Sequence, residues 1–441
     1  MARKWPARLD LGLLAVGAWA CVSLGAAVRH GTYTPVACVL VTAGVLLLTV
    51  IALVLAGHEV RPPSRFSLLL ACAIALASTA LSPAVRDAHG TSQTISHLVL
   101  TVGAVVLLAM AGTKRYTPQL HILLVVLAVA AGIFGIRAYP HPGIDDWNIL
   151  QGSARAVLHF QNSYGAAWPG AKGHLLPYLP ASAVLLTPFW VVFSDVRFGL
   201  LAALVLASLV ISRLQRAPRS HTLLVLSGLV LFYPWVMYGI EDSWPEPLML
   251  ALIASMVLAI HRGRPGLAVV CFALALLTKQ HVALLVPFAA VWPAFGWRRA
   301  LASVLAAAIA LVPWVATAPH MFWQGAVVYN LTLPPRADSL SLFTAASRAG
   351  HSPSFAIVPI GTLVVLVLGL WKLPRTASGF VFGSAWILAV FNLLNKQSFF
   401  NEWSLVVGLI VLGMATMTVA DHPRTAAGSA LGTHAVEHQI E

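Results

Sequence analysis

Leu179-Pro180-Ala181-Ser182-Ala183-Val184-Leu185-Leu186-Thr187-Pro188-Phe189-Trp190-Val191-Val192-Phe193 is the stretch on which the reading of this chain turns. It is apolar, yet short for a bilayer crossing, which takes roughly 20 residues, and it is rich in proline and aromatics. Apolar runs precede it near 11–30, 34–56, 66–83, 93–112 and 119–138. Others follow near 196–214, 221–239, 246–261, 264–279, 281–296, 300–317, 355–371, 377–394 and 403–420. If 179–193 does not cross, seventeen of the 27 lysines and arginines fall on the cytoplasmic side and ten outside. If it does cross, every later loop flips and the partition becomes twelve inside and fifteen outside. Cytoplasmic loops carry the excess of basic residues, so the expectation is an interfacial or re-entrant helix near 179–193, about fourteen true spans and both termini cytoplasmic.

Composition agrees with that class. The chain has 441 residues, 59% of them hydrophobic and 9% charged, with a mean hydropathy of +0.85. This places it among all-α, polytopic transmembrane bundles; a membrane barrel would show short alternating segments instead. The net charge of +13 does not point to nucleic acid. The basic residues come in twos and threes between apolar runs, and no basic stripe spans one face. Cys21, Cys38, Cys72 and Cys271 all lie inside apolar runs without metal-ligand spacing, the usual setting of buried thiols. Arg3, Lys4 and Arg8 ahead of an apolar run resemble a signal peptide, but spans follow at once, so a retained signal-anchor is expected.

That topology sends most of the acids to one outer face. Asp145 and Asp146 follow the fifth run and open a polar stretch reaching Tyr178. Ionisable residues at a membrane boundary are costly and mark sites or pathways. Adjacent carboxylates in a poorly solvated cleft raise one another's pKa, which suits a general base. The alternative is an N-cap, with Asp146 capping a helix from Trp147 to His159. Glu241, Asp242 and Glu246 crowd a tight outer turn, offering a second carboxylate, an acceptor contact, or oxygen ligands for a divalent metal at Glu241 and Asp242; solvated turn residues beside a helix N-terminus are the plain reading. Lys279 sits between two runs of about sixteen residues, which leaves its turn at membrane depth. A phosphate is one natural partner for it and snorkelling is the other outcome. Arg336 offers a bidentate fork to a phosphate, or to Asp338 two residues on. Asn395, Lys396 and Gln397 gather amides and a cation near Phe399 and Phe400, a mix that suits a sugar as well as an interfacial belt. No glycine-rich phosphate loop, zinc-spaced cluster or serine elbow is present.

From about Pro118 to Glu402 the chain resembles the GT-C superfamily of membrane glycosyltransferases, which use polyprenyl-phosphate sugars. The resemblance rests on Asp145-Asp146-Trp147 after a span, then Phe160-Gln161-Asn162-Ser163-Tyr164 and Tyr178-Leu179-Pro180. Ser163 stands where the family's element has proline. Asp195-Val196-Arg197, Glu241-Asp242, Leu277-Thr278-Lys279 and Asn395-Lys396-Gln397 follow in the family's order. The nearest subgroups are actinobacterial polyprenyl-phosphate-mannose-dependent mannosyltransferases and protein O-mannosyltransferase-like enzymes.

The resemblance implies inverting transfer of a sugar, mannose favoured, to an extracytoplasmic glycolipid, glycan or protein acceptor. One of Asp145 and Asp146 would be the base, Asp145 preferred for its spacing to Tyr164. Lys279, with Arg336 or Arg197, would bind the donor phosphate, and Asn395, Lys396, Gln397 and Tyr164 the sugar. It implies no certain cofactor, a divalent metal being used by some members only, and membrane lipid as partner. The implied organisation is a four-span extension over 1–117 and a catalytic module over 118–320, with its first outer loop at 140–195. An outer loop over 321–354, C-terminal spans over 355–420 and a disordered cytoplasmic tail over 421–441 complete it. Two rival functions share these features: a transporter or flippase for a lipid-linked sugar, and a glycan ligase or polymerase.

Overall fold

The computed structural model describes residues 10–57, 61–81, 90–113, 118–165, 168, 170–171, 173–215, 220–233 and 235–419. The expected polar tail at 421–441, the basic residues Arg3, Lys4 and Arg8, and the 114–117 junction before the expected catalytic module lie outside the described residues. Those described form helices and no strand; the sole β-type pairing among them is a bridge between Thr32 and Ser339.

The chain opens with α1 (Leu11–Ala27), α2 (Pro35–Val54), α3 (Arg65–Leu81), α4 (Thr91–Gly112) and α5 (Pro118–Ala138). Helices α6 (Asp145–Leu158) and α7 (Ala181–Phe193), which pack on each other, follow before α8 (Arg197–Ile211), α9 (His221–Leu231) and α10 (Val236–Glu241). Next come α11 (Glu246–His261), α12 (Pro265–Leu276), α13 (Val286–Val291) and α14 (Trp297–Thr317). The short helices α15 (Pro319–Trp323), α16 (Asn330–Thr332) and α17 (Leu342–Arg348) lead to α18 (Ile357–Lys372), α19 (Ala377–Leu394) and α20 (Phe400–Thr416).

Among the described residues each apolar run is largely helical, but the helices differ in reach. Six helices among the described residues are long and apolar enough to cross a membrane, or seven if the bent pair α7–α8 counts as one span. Seven more are apolar and shorter. At about 1.5 Å per residue, a helix as short as α12 does not traverse a hydrocarbon core unaided, and a continuation after a break, as at η-type turn Gln280–Leu285 before α13, adds the missing length. The decisive stretch resolves into α7, which meets α8 at a bend of 115°. The corner is Ser194, held in the left-handed region at φ 58°, with Asp195 beyond it.

Burial explains the order of the layers. Helices α9, α11, α19 and α20 are apolar on all sides and buried along most of their length, as expected of the centre of a bundle. Helix α14 does the reverse: Leu301, Leu305, Ile309 and Val312 are exposed, and only 17% of its apolar window is covered by protein. Such a face is tolerated where the surrounding solvent is lipid. The N-terminal block docks on the C-terminal helices, α1 on α20 and α2 on α19, with the Trp386 indole donating to Thr49 Oγ1 at 2.9 Å. Its α1–α2 turn packs against the start of α20. Gly31 there has φ +73°, and a Cβ on it would lie 2.5 Å from the Phe400 backbone nitrogen, so both conformation and space require glycine.

Most of the described acids collect at one end of the bundle, together with a smaller set of basic residues that includes Lys279 and Arg336. Asp145, Asp146, Glu241, Asp242, Glu246, Asp338 and Glu402 gather where α5 stops and α6, α11 and α20 begin. Arg65, Arg213, Arg262, Arg264, Arg298, Arg299, Lys372 and Arg375 occupy the opposite ends of their helices.

Candidate functional site at the acidic end of the bundle

Helix α6 begins at Asp145, with Ile144 in the cap position and no side-chain cap bond. The N-cap expected of Asp146 is therefore not made. Both carboxylates stand in the first turn, where the helix dipole favours negative charge, and they part company from there.

Asp146 turns inward. Its Oδ1 accepts from the Tyr178 hydroxyl at 2.5 Å and its Oδ2 from the Trp244 indole at 2.8 Å. Burial, then the Asp145 charge, push its carboxyl up to about 7 against the pull of those two donors and Lys279. Asp145 turns outward and is hydrogen-bonded to His174 Nδ1, the two side chains being 28% and 44% exposed. The Tyr329 ring lies 6.0 Å from the His174 ring. Burial and the charges of Asp145 and Asp146 push the Tyr329 hydroxyl up to about 12, opposed by Arg336, so it stays a donor.

Beneath Asp146 lies an ion triad. Lys279 Nζ donates to Glu246 Oε1 at 2.9 Å and to Glu402 Oε1 at 3.3 Å, and stands 5.6 Å from the centre of the Tyr178 ring. Glu402 also accepts from the Phe399 backbone N–H at 2.9 Å and from Asn401 at 3.1 Å, closing the first turn of α20. Glu246 Oε2 is buried and meets no hydrogen-bond donor among the described residues. Lys279 is thus a cation between two carboxylates, not a bare phosphate ligand.

The backbone that carries these groups is stitched together locally. The amides of Leu179 and Ala181 donate to the carbonyls of Thr278 and Leu277 at 3.0 and 2.9 Å, setting Tyr178 over Lys279. Gln280 ties the Pro177 carbonyl to that of Ala326 at 2.8 and 2.6 Å. Ala326 belongs to a π-helical turn, Gln324–Tyr329, and this rare geometry recurs near functional sites. Trp244 reaches Asp146 because Ser243 takes φ +62°, a strained value for a non-glycine residue.

The remaining residues expected from sequence are placed apart from this network. Tyr164 is buried and gives its hydroxyl to the Tyr178 carbonyl at 2.5 Å, so it positions Tyr178. Arg197 is fully buried, with Nε and Nη2 on Asp195 and Nη1 on the Tyr139 carbonyl at 2.7 Å; its donors are committed to the α5–α8 corner. Arg336 forks onto Asp338 at 3.0 and 2.6 Å, half exposed, 4.3 Å from the centre of the Phe399 ring. That pairing holds the Asp338 carboxyl below the usual range despite partial burial. Lys396 and Gln397 donate to the carbonyls of Leu331 and Pro334 at 2.6 and 2.7 Å, while the Asn395 side chain accepts from the Lys396 amide. These three join two outer loops. Glu241 and Asp242 are buried, Glu241 facing Gly135 of α5. Among the described residues there is no group of three or more His, Cys, Asp and Glu that could hold a metal ion.

His174, Trp244, Glu402 and Tyr329 are the members that sequence reasoning did not nominate as site residues. Trp244 and Glu402 lie inside stretches already singled out; His174 and Tyr329 carry no sequence signal, because only the fold brings them to Asp145. No protein-family model and no curated protein matches this chain.

Proposed function

We propose that the protein is a multi-pass membrane glycosyltransferase that moves a sugar, mannose favoured, from a polyprenyl-phosphate donor to an acceptor hydroxyl on the extracytoplasmic side. One observation carries the reading: two adjacent carboxylates at one helix start occupy opposite environments. Asp146 is pinned inward by Tyr178 and Trp244, and Asp145 is turned out to a half-exposed cleft. Splitting the environments of paired acids is how acid–base roles are assigned in enzymes.

Asp145 faces the side from which a hydroxyl acceptor arrives, and Asp146 fixes the charge behind it. The donor phosphate takes the remaining N–H of Lys279 and exchanges with the longer of its two carboxylate contacts, to Glu402. Half-exposed Arg336 meets the phosphate from the aqueous side. Two features support the membrane placement: the basic residues at the far helix ends, which favour a cytoplasmic location, and the exposed apolar tip of α7 (Val191, Val192 and Phe193), which suits a helix lying in the interface. On that placement the fourteen apolar helices other than α7 are the spans.

The test is sugar transfer from a synthetic short-chain polyprenyl-phosphate mannose by purified wild type, Asp145→Asn and Asp146→Asn. Turnover lost in Asp145→Asn with donor binding kept is the expected result. Wild-type inactivity across a panel of donor sugars refutes the proposal. The buried Glu246–Lys279–Glu402 triad favours one rival, a carrier for a lipid-linked sugar coupled to ion movement. Translocation of a labelled lipid-linked sugar in proteoliposomes, without transfer, would establish it instead.

A further inference from the structure

We infer that the atom taking the acceptor's proton is Nε2 of His174, backed by Asp145, an inference that rests on the transferase reading. Three observations lead there. His174 Nδ1 is bonded to the Asp145 carboxylate, which accepts there, so the neutral tautomer that this contact selects carries its proton on Nδ1 and presents Nε2 as the acceptor. No described residue bonds to that second nitrogen, and the side chain is the more exposed of the pair, 44% against 28%. Asp146, the other carboxylate, already has a donor on each oxygen and faces Tyr178 and Trp244 rather than the cleft.

A carboxylate behind an imidazole is the arrangement that orients the ring and stabilises the cation it becomes. The step balances as follows. The acceptor O–H proton passes to Nε2 while its oxygen bonds to the anomeric carbon. The bond from that carbon to the phosphate oxygen breaks with its electron pair, and the lipid phosphate leaves as the anion. The imidazolium, paired with Asp145, then returns its proton to water. Asp145 is a positioning residue on this account, and an acceptor approaching past the Tyr329 ring meets His174 first.

The experiment compares wild type, His174→Ala, His174→Gln and Asp145→Asn over pH 5–9, with polyprenyl-phosphate mannose as donor and octyl α-mannoside as acceptor probe. Glutamine can still donate to Asp145 but cannot act as a base, so it controls for folding. Both His174 variants should lose roughly 10²–10⁴-fold in transfer with unchanged donor binding, and added imidazole should restore part of the rate in His174→Ala only. Asp145→Asn should move the acid limb of the pH profile. Wild-type rate and pH profile in His174→Ala would overturn the dyad; if Asp145→Asn were then still inactive, the transferase reading would stand with the carboxylate as base. An inactive wild type would overturn both.

Discussion

Replacing Lys279 by methionine isolates what the ion triad contributes. The substitution keeps length and volume and removes the one cation bonded to Glu246 among the described residues; the Glu246 side chain is 1% exposed. Removing one partner of a buried ion pair leaves an uncompensated charge and costs about 3–5 kcal/mol. The loss is shared unequally. Glu402 keeps the Phe399 amide and Asn401 and is 17% exposed, whereas Glu246 keeps only its own backbone amide, and its Oε2 lacks a donor among the described residues. Most of the penalty therefore belongs to Glu246 and should be relieved by Glu246→Gln. The expected double variant is within about 1 kcal/mol of Glu246→Gln alone, a coupling of roughly 2–4 kcal/mol, at or above the upper end for residues in contact. Tryptophan fluorescence during denaturant titration in mixed micelles at pH 8 reads all four proteins. Wild-type stability in Lys279→Met, or strictly additive losses in the double variant, would refute the argument that the triad is a single buried electrostatic unit.

Two further expectations concern the same end of the bundle. The Asp146 carboxyl is raised to about 7, so the folded chain holds its proton more tightly than the unfolded one. Its contribution to stability is then full below about pH 4 and is lost as pH rises through about 7. Asp146→Asn should flatten that part of the pH–stability curve and be relatively most stabilising at pH 8; the Tyr178 hydroxyl can rotate to accept from the new amide, and an unchanged curve contradicts the burial argument. Gly31→Ala should destabilise by more than about 1 kcal/mol, because φ is +73° and Phe400 blocks the added Cβ. Phe400 packs on Tyr238 and Trp244 at ring distances of 5.4 and 6.1 Å, so transfer activity should fall with stability, and limited proteolysis should cut first at the α1–α2 turn.

The sequence by itself determined the class of this protein. Hydropathy requires apolar surroundings wherever it persists, so the long apolar helices are legible in their runs while the short loop helices α15, α16 and α17 are not, and the acids beyond α5 and α10 and at the start of α11 are legible as a cluster once the runs alternate in direction. The 179–193 stretch also announced itself, because two prolines and short length do not suit a span, and it resolves into a helix bent 115° from its successor. What the sequence left open was partnership. Lys279, Glu246 and Glu402 are separated by up to 156 positions and meet within 3.3 Å; His174 and Tyr329, without any local signature, come together beside Asp145. Arg197 and Arg336 were both candidates for the donor phosphate and are bound to carboxylates two residues away, for Arg336 the alternative that the sequence already offered. Periodicity reports which way a helix faces relative to the membrane, a one-body property of each segment. Which side chains share a buried site depends on how many segments close together, and on the requirement that buried charges find partners. That is decided only when the whole bundle packs.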